Sequence, residues 1–315
     1  MLPNELESKF FQIFRKWNLS ESVSLAMSKN MVWAHQYNHP THGVLLLDRY
    51  KRWLDMNVIN RNESIELEKN SNFYTFNAKK SFGHWAIPEV LKQLEVLDNI
   101  VTPFGIKNLG HAGYIAGCLK YANIQNHLVL LFTNMAGSKV VRPFNGSDKM
   151  MSTSCISASI PGLYGFDMTT TSTSENLVRY RMLSNEKLTV PLVLENNELT
   201  YNPADFYGYT PDGYPNAALS KTAIVFNDHK MFHLGLLTEI LGGIVADSGT
   251  SASSSFHNGC FGLLIKLNDN QLDRIKKYIN WLTTSPGTTV SSGKYSEEIK
   301  LTEWEEEILQ KFANN

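Results

Sequence analysis

Segments with helix-like and strand-like hydrophobic patterns alternate along the chain from about residue 85. Residues 86–98 and 111–123 fit amphipathic helices, His127–Phe132 fits a buried strand, and residues 230–245 fit an apolar helix. A helix buries its apolar stripe by packing on the face of a sheet, so this alternation predicts an α/β fold.

Both ends of the chain carry helical patterns of their own. Apolar residues recur three or four positions apart near the N-terminus and near the C-terminus: Phe10, Phe14 and Trp17, then Trp304, Ile308 and Phe312. The second set follows Thr302 and Glu305, whose spacing is typical of a capped helix start. We therefore expect an amphipathic helix at each end.

Composition excludes several classes of protein. The 315 residues include 29 Lys+Arg against 30 Asp+Glu, so the chain lacks the diffuse basic surface typical of nucleic-acid binding. No apolar run approaches the ~18–20 residues needed to cross a bilayer, and the first residues do not resemble a signal peptide. The 3 cysteines lie far apart, which indicates free thiols instead of disulfides. We expect a cytoplasmic protein that binds neither nucleic acid nor membrane.

Motifs that identify common enzyme classes are absent from the sequence. There is no G-x-G-x-x-G after a strand and no G-x-x-x-x-G-K-[ST], so neither a Rossmann dinucleotide fold nor a P-loop is predicted. H-E-x-x-H and G-x-S-x-G are absent as well, which removes two frequent hydrolase types.

Histidines are the residues best suited to proton exchange or metal binding near neutral pH. His35, His39 and His42 are spaced by four and three residues, which can place two ligands on one helical face. Pro40 interrupts this group, and no carboxylate or cysteine completes it. We therefore predict no metal site, and a metal-dependent enzyme built on this group is the weakest of three hypotheses.

Two histidines lie in glycine-bearing motifs. His42 is part of Thr41-His42-Gly43, and His111 lies within Asn108–Gly113 at a predicted helix start. A helix N-terminus disfavours imidazolium and lowers the pKa of a histidine there. We expect such a side chain to exchange a proton with a substrate oxygen or nitrogen near neutral pH.

These motifs resemble those of the malate/L-lactate dehydrogenase family. That family of non-Rossmann oxidoreductases includes ureidoglycolate and sulfolactate dehydrogenases and piperideine- or pyrroline-2-carboxylate reductases. Thr41-His42-Gly43-Val44 followed by Arg49-Tyr50 resembles its Ser-His-Gly-Val…Arg-Tyr opening. Further landmarks follow in the family's order: Asn108–Gly113, Thr133-Asn134, Pro143–Gly146, Asp167–Thr170, Asp212–Pro215, Lys230 and Ser285–Gly287.

The resemblance implies a fold, a cofactor and roles for individual residues. Residues 76–287 would form a non-Rossmann, mixed-sheet cofactor domain, and residues 1–75 with 288–315 a helical layer for substrate binding and dimerisation. His111 would be the catalytic acid/base, with His42 as the second catalytic-site histidine beside Thr41 in the substrate pocket. The resemblance also implies a small-molecule substrate, a homodimer, and NAD or NADP held by Asn134, Asn145, Asp167, Met168, Thr169 and Lys230.

Several positions depart from the family pattern. The family's Arg four residues after the motif His, which contacts the substrate carboxylate, is Leu46 here. Loss of such a bidentate contact would cost roughly 1.5–3 kcal/mol of binding. Arg49 is the candidate replacement, although we expect the local secondary structure to aim it elsewhere. On the cofactor side, family glycines are replaced by Asn145 and Met231.

Three hypotheses follow. The first is an oxidoreductase that transfers hydride between NAD(P)H and a small 2-keto or 2-hydroxy acid or a cyclic ketimine, with His111 as general acid/base and Thr41, Leu46 and Arg49 at the substrate. The second is a protein of the same fold that has lost redox chemistry and binds a ligand or catalyses proton transfer or cyclisation. The third is the metal-dependent enzyme described above.

Overall fold

A mixed β-sheet organises the α/β part of this computed structural model, which describes residues 1–61, 63–69, 73–290 and 295–314. Residues 62, 70–72, 291–294 and 315, which fall within the predicted segments 1–75 and 288–315, lie outside the described residues. The strands are β1 (Glu66–Lys69), β2 (Tyr74–Asn77), β3 (Val101–Leu109), β4 (His127–Ala136), β5 (Cys155–Ile160), β6 (Tyr164–Thr169), β7 (Leu192–Val193), β8 (Leu199–Thr200), β9 (Gly208–Tyr209), β10 (Pro215–Asn216) and β11 (His257–Lys266).

Among the described residues, seven of these strands form one sheet, in the order β1-β2-β3-β11-β4-β5-β6. Strands β2 and β3 are parallel, and the other neighbours in this sheet are antiparallel, so the predicted mixed sheet is confirmed. The predicted strand at residues 127–132 is confirmed as β4, in which Val129, Leu131 and Thr133 are buried in alternation.

Helices cover the sheet and build a separate layer. They are α1 (Pro3–Lys16), α2 (Glu21–Gln36), α3 (Leu46–Asp55), α4 (Gly83–Glu95), α5 (Ile115–Ala122), α6 (Glu175–Leu183), α7 (His229–Thr238), α8 (Asp269–Leu282) and α9 (Glu303–Asn314). Short 3₁₀ helices span Pro40–His42, Pro203–Phe206 and Ala217–Leu219, and a π-helix spans Glu239–Val245. None of the described helices is long and apolar enough to span a membrane.

The terminal helices pack together as their sequence patterns predict. Helices α1, α2, α3 and α9, here called the helical layer, share a core that includes Phe10, Phe14, Tyr50 and Phe312. At the start of α9, Thr302 donates its backbone N–H and its hydroxyl to the Glu305 carboxylate, at 2.8 and 2.9 Å. The apolar stripes of both ends therefore cover each other instead of facing solvent.

A second core lies between the sheet and helices α4 and α5. It contains Phe104 and Ile106 of β3, Leu131 of β4 and Leu264 of β11. Trp85 of α4 packs against both this sheet core and the core of the helical layer. The two cores are thus in direct contact.

The region around His111 differs from the sequence-based expectation. Helix α5 begins at Ile115 and not at residue 111, so His111 lies in the loop between β3 and α5. Gly113 adopts φ +77° in this loop, a conformation that interrupts a helix. The Ala112 N–H donates to the Asn258 side chain on β11 at 3.0 Å, so the loop is fixed by the sheet.

Candidate active site

His111 is held by contacts behind its ring. Its Nδ1 lies 2.8 Å from the Tyr50 hydroxyl and 3.2 Å from the Gly113 backbone nitrogen. The imidazole is only 8% exposed, and no described group bonds to Nε2. The residue lines a small cavity, and Nε2 is the ring nitrogen left without a bond to the described protein.

His42 reaches the same cavity from the helical layer. Its short 3₁₀ helix, Pro40–His42, places the His42 ring nearly parallel to that of His111, with 6.3 Å between centroids. The Thr41 hydroxyl lies 3.1 Å from Nδ1 of His42, and the Asn176 amide lies 3.5 Å from Nε2. The structure thus brings together the two histidines that the sequence motifs single out.

Arg49 also lines this cavity, contrary to the expectation that α3 would aim it elsewhere. Its guanidinium donates to the Asn176 side-chain oxygen at 2.6 Å and to the Glu175 carboxylate at 2.7 Å. Leu46, one helical turn earlier, is fully buried in the core of the helical layer. Positions 46 and 49 lie three residues apart, on neighbouring parts of one helical face, so the difference comes from their partners: Glu175 and Asn176 hold Arg49 at the cavity, whereas Leu46 packs in the core.

Three connected depressions form one cleft. The inner cavity, about 80 Å³, contains His42, Arg49 and His111. The outer cleft, about 620 Å³, shares His42, Gly113 and Thr169 with the inner cavity. The side pocket, about 350 Å³, joins the inner cavity at Arg49 and is walled by Trp53 and Phe256, whose rings lie 5.3 Å apart.

Burial, not a helix N-terminus, is the main reason that the histidines are uncharged. Burial and the nearby His42, His84 and Arg49 hold the pKa of His111 well below its usual 6.5. Burial, with His39 and Arg49 nearby, lowers the pKa of His42 to about 3. The expectation of a lowered His111 pKa thus agrees with the structure, but its cause is different because α5 starts four residues later.

The residues predicted to hold a cofactor separate into two groups. Asp167, Met168 and Thr169 line the outer cleft together with Thr41. Asp167 accepts the Ile115 and Ala116 N–H groups, at 3.0 and 3.2 Å, and so caps the N-terminus of α5. Burial raises the pKa of the Asp167 carboxyl, although the hydrogen bonds to Ser157 and to α5 oppose that rise.

The remaining predicted cofactor residues lie away from the three depressions. Asn134 is fully buried, and its amide bonds Glu239 and the Gly249 carbonyl. Lys230 is exposed in the first turn of α7. Asn145 is exposed with φ +62°, so it keeps a backbone conformation that glycine adopts readily and that asparagine tolerates.

The outer cleft has features that fit a polar cofactor. Its volume of about 620 Å³ lies within the ~300–1,000 Å³ typical of small-molecule sites. Ser172 and Thr173 line it, and their buried hydroxyl oxygens have no hydrogen-bond partner in the part of the chain that the structure describes. Buried polar groups are normally paired, so these two hydroxyls are unmet hydrogen-bonding capacity beside the cleft. In contrast, no group of three metal-ligating side chains occurs among the described residues.

Sequence reasoning missed several residues that shape the site. Glu175 and Asn176 hold Arg49, and His84 contacts Tyr50 behind His111. The Phe82-Gly83-His84 segment offered a weak signal, a histidine beside glycine at a helix start, but nothing local linked it to His111. Glu175 and Asn176 carried no recognisable motif.

The chain belongs to the malate/L-lactate dehydrogenase family, whose model matches residues 2–304. The malate/(S)-sulfolactate dehydrogenase of Methanothermus fervidus is 25% identical over 248 residues, which are 76% of this chain and 69% of that protein. Hydroxycarboxylate dehydrogenase B of Escherichia coli is 21% identical over 254 residues, 78% of this chain and 68% of that protein.

Solved structures share the fold at lower sequence identity. The Δ1-piperideine-2-carboxylate reductase of Pseudomonas syringae pvar. tomato has a TM-score of 0.81 at 17% identity, covering 99% of each chain. The sulfolactate dehydrogenase of Methanocaldococcus jannaschii has a TM-score of 0.77 at 16% identity, covering 100% of this chain and 96% of that one. Family and relatives indicate an oxidoreductase of the hydroxy-acid dehydrogenase or reductase type with a small-molecule substrate, and such dehydrogenases generally use nicotinamide cofactors.

Proposed function

We propose that this protein transfers hydride between NAD(P)H and a small 2-keto or 2-hydroxy acid, or a cyclic ketimine, with His111 as general acid/base. The observation that carries the proposal is the placement of His111. Its Nδ1 is held by Tyr50 while the ring lines a cavity that it shares with His42 and Arg49. A general acid/base needs this combination of a fixed ring and one nitrogen free for the substrate.

The bound nicotinamide supplies or accepts the hydride. In the oxidising direction, Nε2 of the neutral His111 removes the proton from the substrate hydroxyl or amine, and the ring becomes an imidazolium. In the reducing direction His111 first takes up a proton from solvent, and Nε2 then donates it to the carbonyl oxygen or imine nitrogen. His42 lines the inner cavity and Thr41 the adjoining outer cleft, and both orient the substrate in this proposal.

The outer cleft is the proposed place of the cofactor, with Asp167, Met168 and Thr169 on its wall. Ser172 and Thr173 offer it two hydroxyls that lack partners in the described protein. Residues 1–75 and 288–315 then supply the substrate side and residues 76–287 the cofactor side, which is the proposed division of the chain.

Arg49 is the proposed anchor for a substrate carboxylate. Glu175 already pairs with its guanidinium, so a carboxylate substrate meets a partly neutralised cation. Since this pairing weakens the contact, the Arg49→Met variant should lose about 1.5 kcal/mol in kcat/KM for a 2-keto acid, the lower end of the range for charge-assisted contacts. It should lose little for a cyclic imine without a carboxylate, and equal losses for both substrates would contradict this role.

A homodimer is also part of the proposal. Helix α8 buries none of its side chains within the described chain, and Tyr278 and Trp281 on it are 60% and 65% exposed. Amphipathic helices rarely leave such aromatic residues in water. Sedimentation analysis should show a dimer that Trp281→Glu converts to a monomer, whereas a native monomer would contradict the proposal.

The first experiment is a thermal-shift series with NAD⁺, NADH, NADP⁺ and NADPH. A ligand at 100 times its Kd stabilises the folded state by about 2.7 kcal/mol, which is readily measured. A shift should be followed by assays of 2-keto acids and cyclic imines through loss of reduced-cofactor absorbance. No shift with any of the four would favour the non-redox alternative, a ligand-binding or proton-transfer protein of the same fold.

A further inference from the structure

His84 is a buried histidine that the proposed reaction does not use. It is the second residue of α4 and has no exposed surface. Its Nε2 lies 3.3 Å from the Tyr50 hydroxyl, and that hydroxyl lies 2.8 Å from Nδ1 of His111. Tyr50 therefore bridges two imidazoles, one at the cavity and one behind it.

Proton exchange at Nε2 of His111 sets a requirement at the opposite nitrogen. The imidazolium that donates a proton carries hydrogen on both nitrogens. The neutral form that accepts a proton at Nε2 must keep its hydrogen on Nδ1. In both reactive states Nδ1–H therefore needs an acceptor on the protein side of the ring.

Two groups lie at Nδ1 of His111, and they favour opposite states. The Gly113 backbone N–H, 3.2 Å away, can only donate and so favours an Nδ1 without hydrogen. The Tyr50 hydroxyl can accept from Nδ1–H, but only if it directs its own single hydrogen elsewhere. The direction of the Tyr50 O–H thus decides which nitrogen of His111 carries the proton.

Nε2 of His84 is the one other acceptor within hydrogen-bond distance of the Tyr50 hydroxyl among the described residues. For Nε2 to accept, the neutral His84 ring must carry its hydrogen on Nδ1, which is buried without a partner in the same part of the chain. Gly113 makes room for this arrangement, because a Cβ there would lie 2.2 Å from Nε2 of His84. The backbone thus accommodates a histidine at this position.

We propose that His84 is a positioning residue that selects the Nδ1–H form of His111 by accepting the Tyr50 hydrogen. The inference rests on the proposed role of His111 as acid/base. It adds that the reactive tautomer is set by a residue that never touches the substrate.

The tautomer can be measured without cofactor by NMR of protein with isotope-labelled histidine, in mildly alkaline buffer. The signals of His111 are assigned by their loss in His111→Gln. Native protein should show the Nδ1–H form, whereas His84→Leu and Tyr50→Phe should show the Nε2–H form. His84→Gln, whose amide oxygen can accept, should retain more of the native form than His84→Leu. The Nε2–H form in native protein, or an unchanged tautomer in His84→Leu, overturns the proposal.

Kinetics give a second measurement and separate the two proposals. His84→Leu should lower kcat on the order of 10²-fold with little change in KM, because loss of the reactive tautomer impairs proton transfer and not binding. Phe82→Leu is the matched control, since Phe82 packs on the rings of Tyr50 and His84 without any hydrogen bond to them. It should leave the tautomer native.

The failure of each proposal has its own signature. If His111→Gln turns over at the native rate, the acid/base assignment of the proposed function fails. If His111→Gln is inactive while His84→Leu keeps the native kcat and tautomer, only the role of His84 fails.

Discussion

The helical layer and the sheet contribute opposite kinds of surface to the cleft. On the side of the helical layer, polar groups are already paired: Arg49 with Glu175 and Asn176, and Tyr50 with His111. On the sheet side, the segment that follows β6 offers the buried, unpartnered hydroxyls of Ser172 and Thr173, as far as the chain is described. One side is preorganised around the reacting atoms, and the other has hydrogen-bonding capacity left for a ligand.

This difference separates the proton-transfer side of the proposed reaction from its cofactor side. The side that would position the proton is fixed by contacts inside the protein, so it does not depend on the ligand. The side that would bind the cofactor is completed by the ligand. Asn145, which replaces a family glycine, lies away from the three depressions and keeps a positive φ, so this departure leaves the arrangement of His42 and His111 unchanged.

The largest expected effect on the reaction rate comes from His111, at the cavity between the helical layer and the sheet. His111→Gln should lower the hydride-transfer rate by about 10²–10⁴-fold, because it removes the imidazole that exchanges a proton with the substrate. Thermal shifts with the nicotinamide cofactors should remain native, since the outer cleft is unchanged. His42→Gln is the comparison, with a smaller loss of kcat expected. Equal losses in the two variants would show that both histidines take part in the proton transfer.

Removing a fully buried phenylalanine from either core should cost about 3–5 kcal/mol of unfolding free energy. Phe14→Ala tests the core of the helical layer and Phe104→Ala the sheet core. We expect one cooperative transition in both variants, because Trp85 packs against both cores and Asn30 of α2 donates to the Tyr114 carbonyl at 2.8 Å. An early, separate transition in Phe14→Ala would show instead that the helical layer unfolds as an independent unit.

Acid should destabilise the protein through its buried histidines. Burial lowers the pKa of His35 to about 4 and that of His84 to about 3, both from 6.5. These side chains stay neutral when folded, so their stabilising contribution is complete above pH 6.5 and is lost as the pH falls toward those values. His35 alone corresponds to a loss on the order of 3 kcal/mol.

Denaturant unfolding between pH 7 and pH 4.5 would measure this loss. Asp167 has a raised pKa and acts in the opposite sense, because its protonation favours the folded state at low pH. His35→Gln should flatten the pH dependence, since His35 accepts the Val44 N–H at 3.1 Å and a glutamine oxygen can replace it. Unfolding free energy that does not change over this range would contradict the neutral state of these histidines.

The smallest expected effect concerns the unpartnered hydroxyls. Ser172→Ala should leave the free protein as stable as before, because its hydroxyl makes no hydrogen bond to the described residues. It should weaken cofactor binding by about 0.5–1.5 kcal/mol, or roughly two- to tenfold in Kd. Ser152→Ala is the control, since Ser152 donates to Glu239 at 2.8 Å and its loss should destabilise the free protein. Native cofactor affinity in Ser172→Ala would place the ligand elsewhere.

The sequence by itself indicated the α/β class and the helices at both ends, through hydrophobic period and capping residues. The family, and the expectation that His42 and His111 share one site, came from the resemblance of several motifs to those of known proteins. Even so, the same local reading placed a helix start at residue 111 and left open whether Arg49 reaches the site. The Asn258 side chain on β11 fixes the loop after His111, and Glu175 and Asn176 hold Arg49 at the cavity, and no local motif shows these contacts.

Only the tertiary structure decided what surrounds the candidate acid/base. Tyr50 meets His84 across 34 residues of sequence and His111 across 61, and Arg49 meets Glu175 across 126. In the folded chain the Asn134 side chain likewise bonds Glu239 and does not line the cleft. Burial and hydrogen bonding depend on which distant segments pack together, so the uncharged state of His111 and its held Nδ1 are properties of the assembled cores and of no single motif.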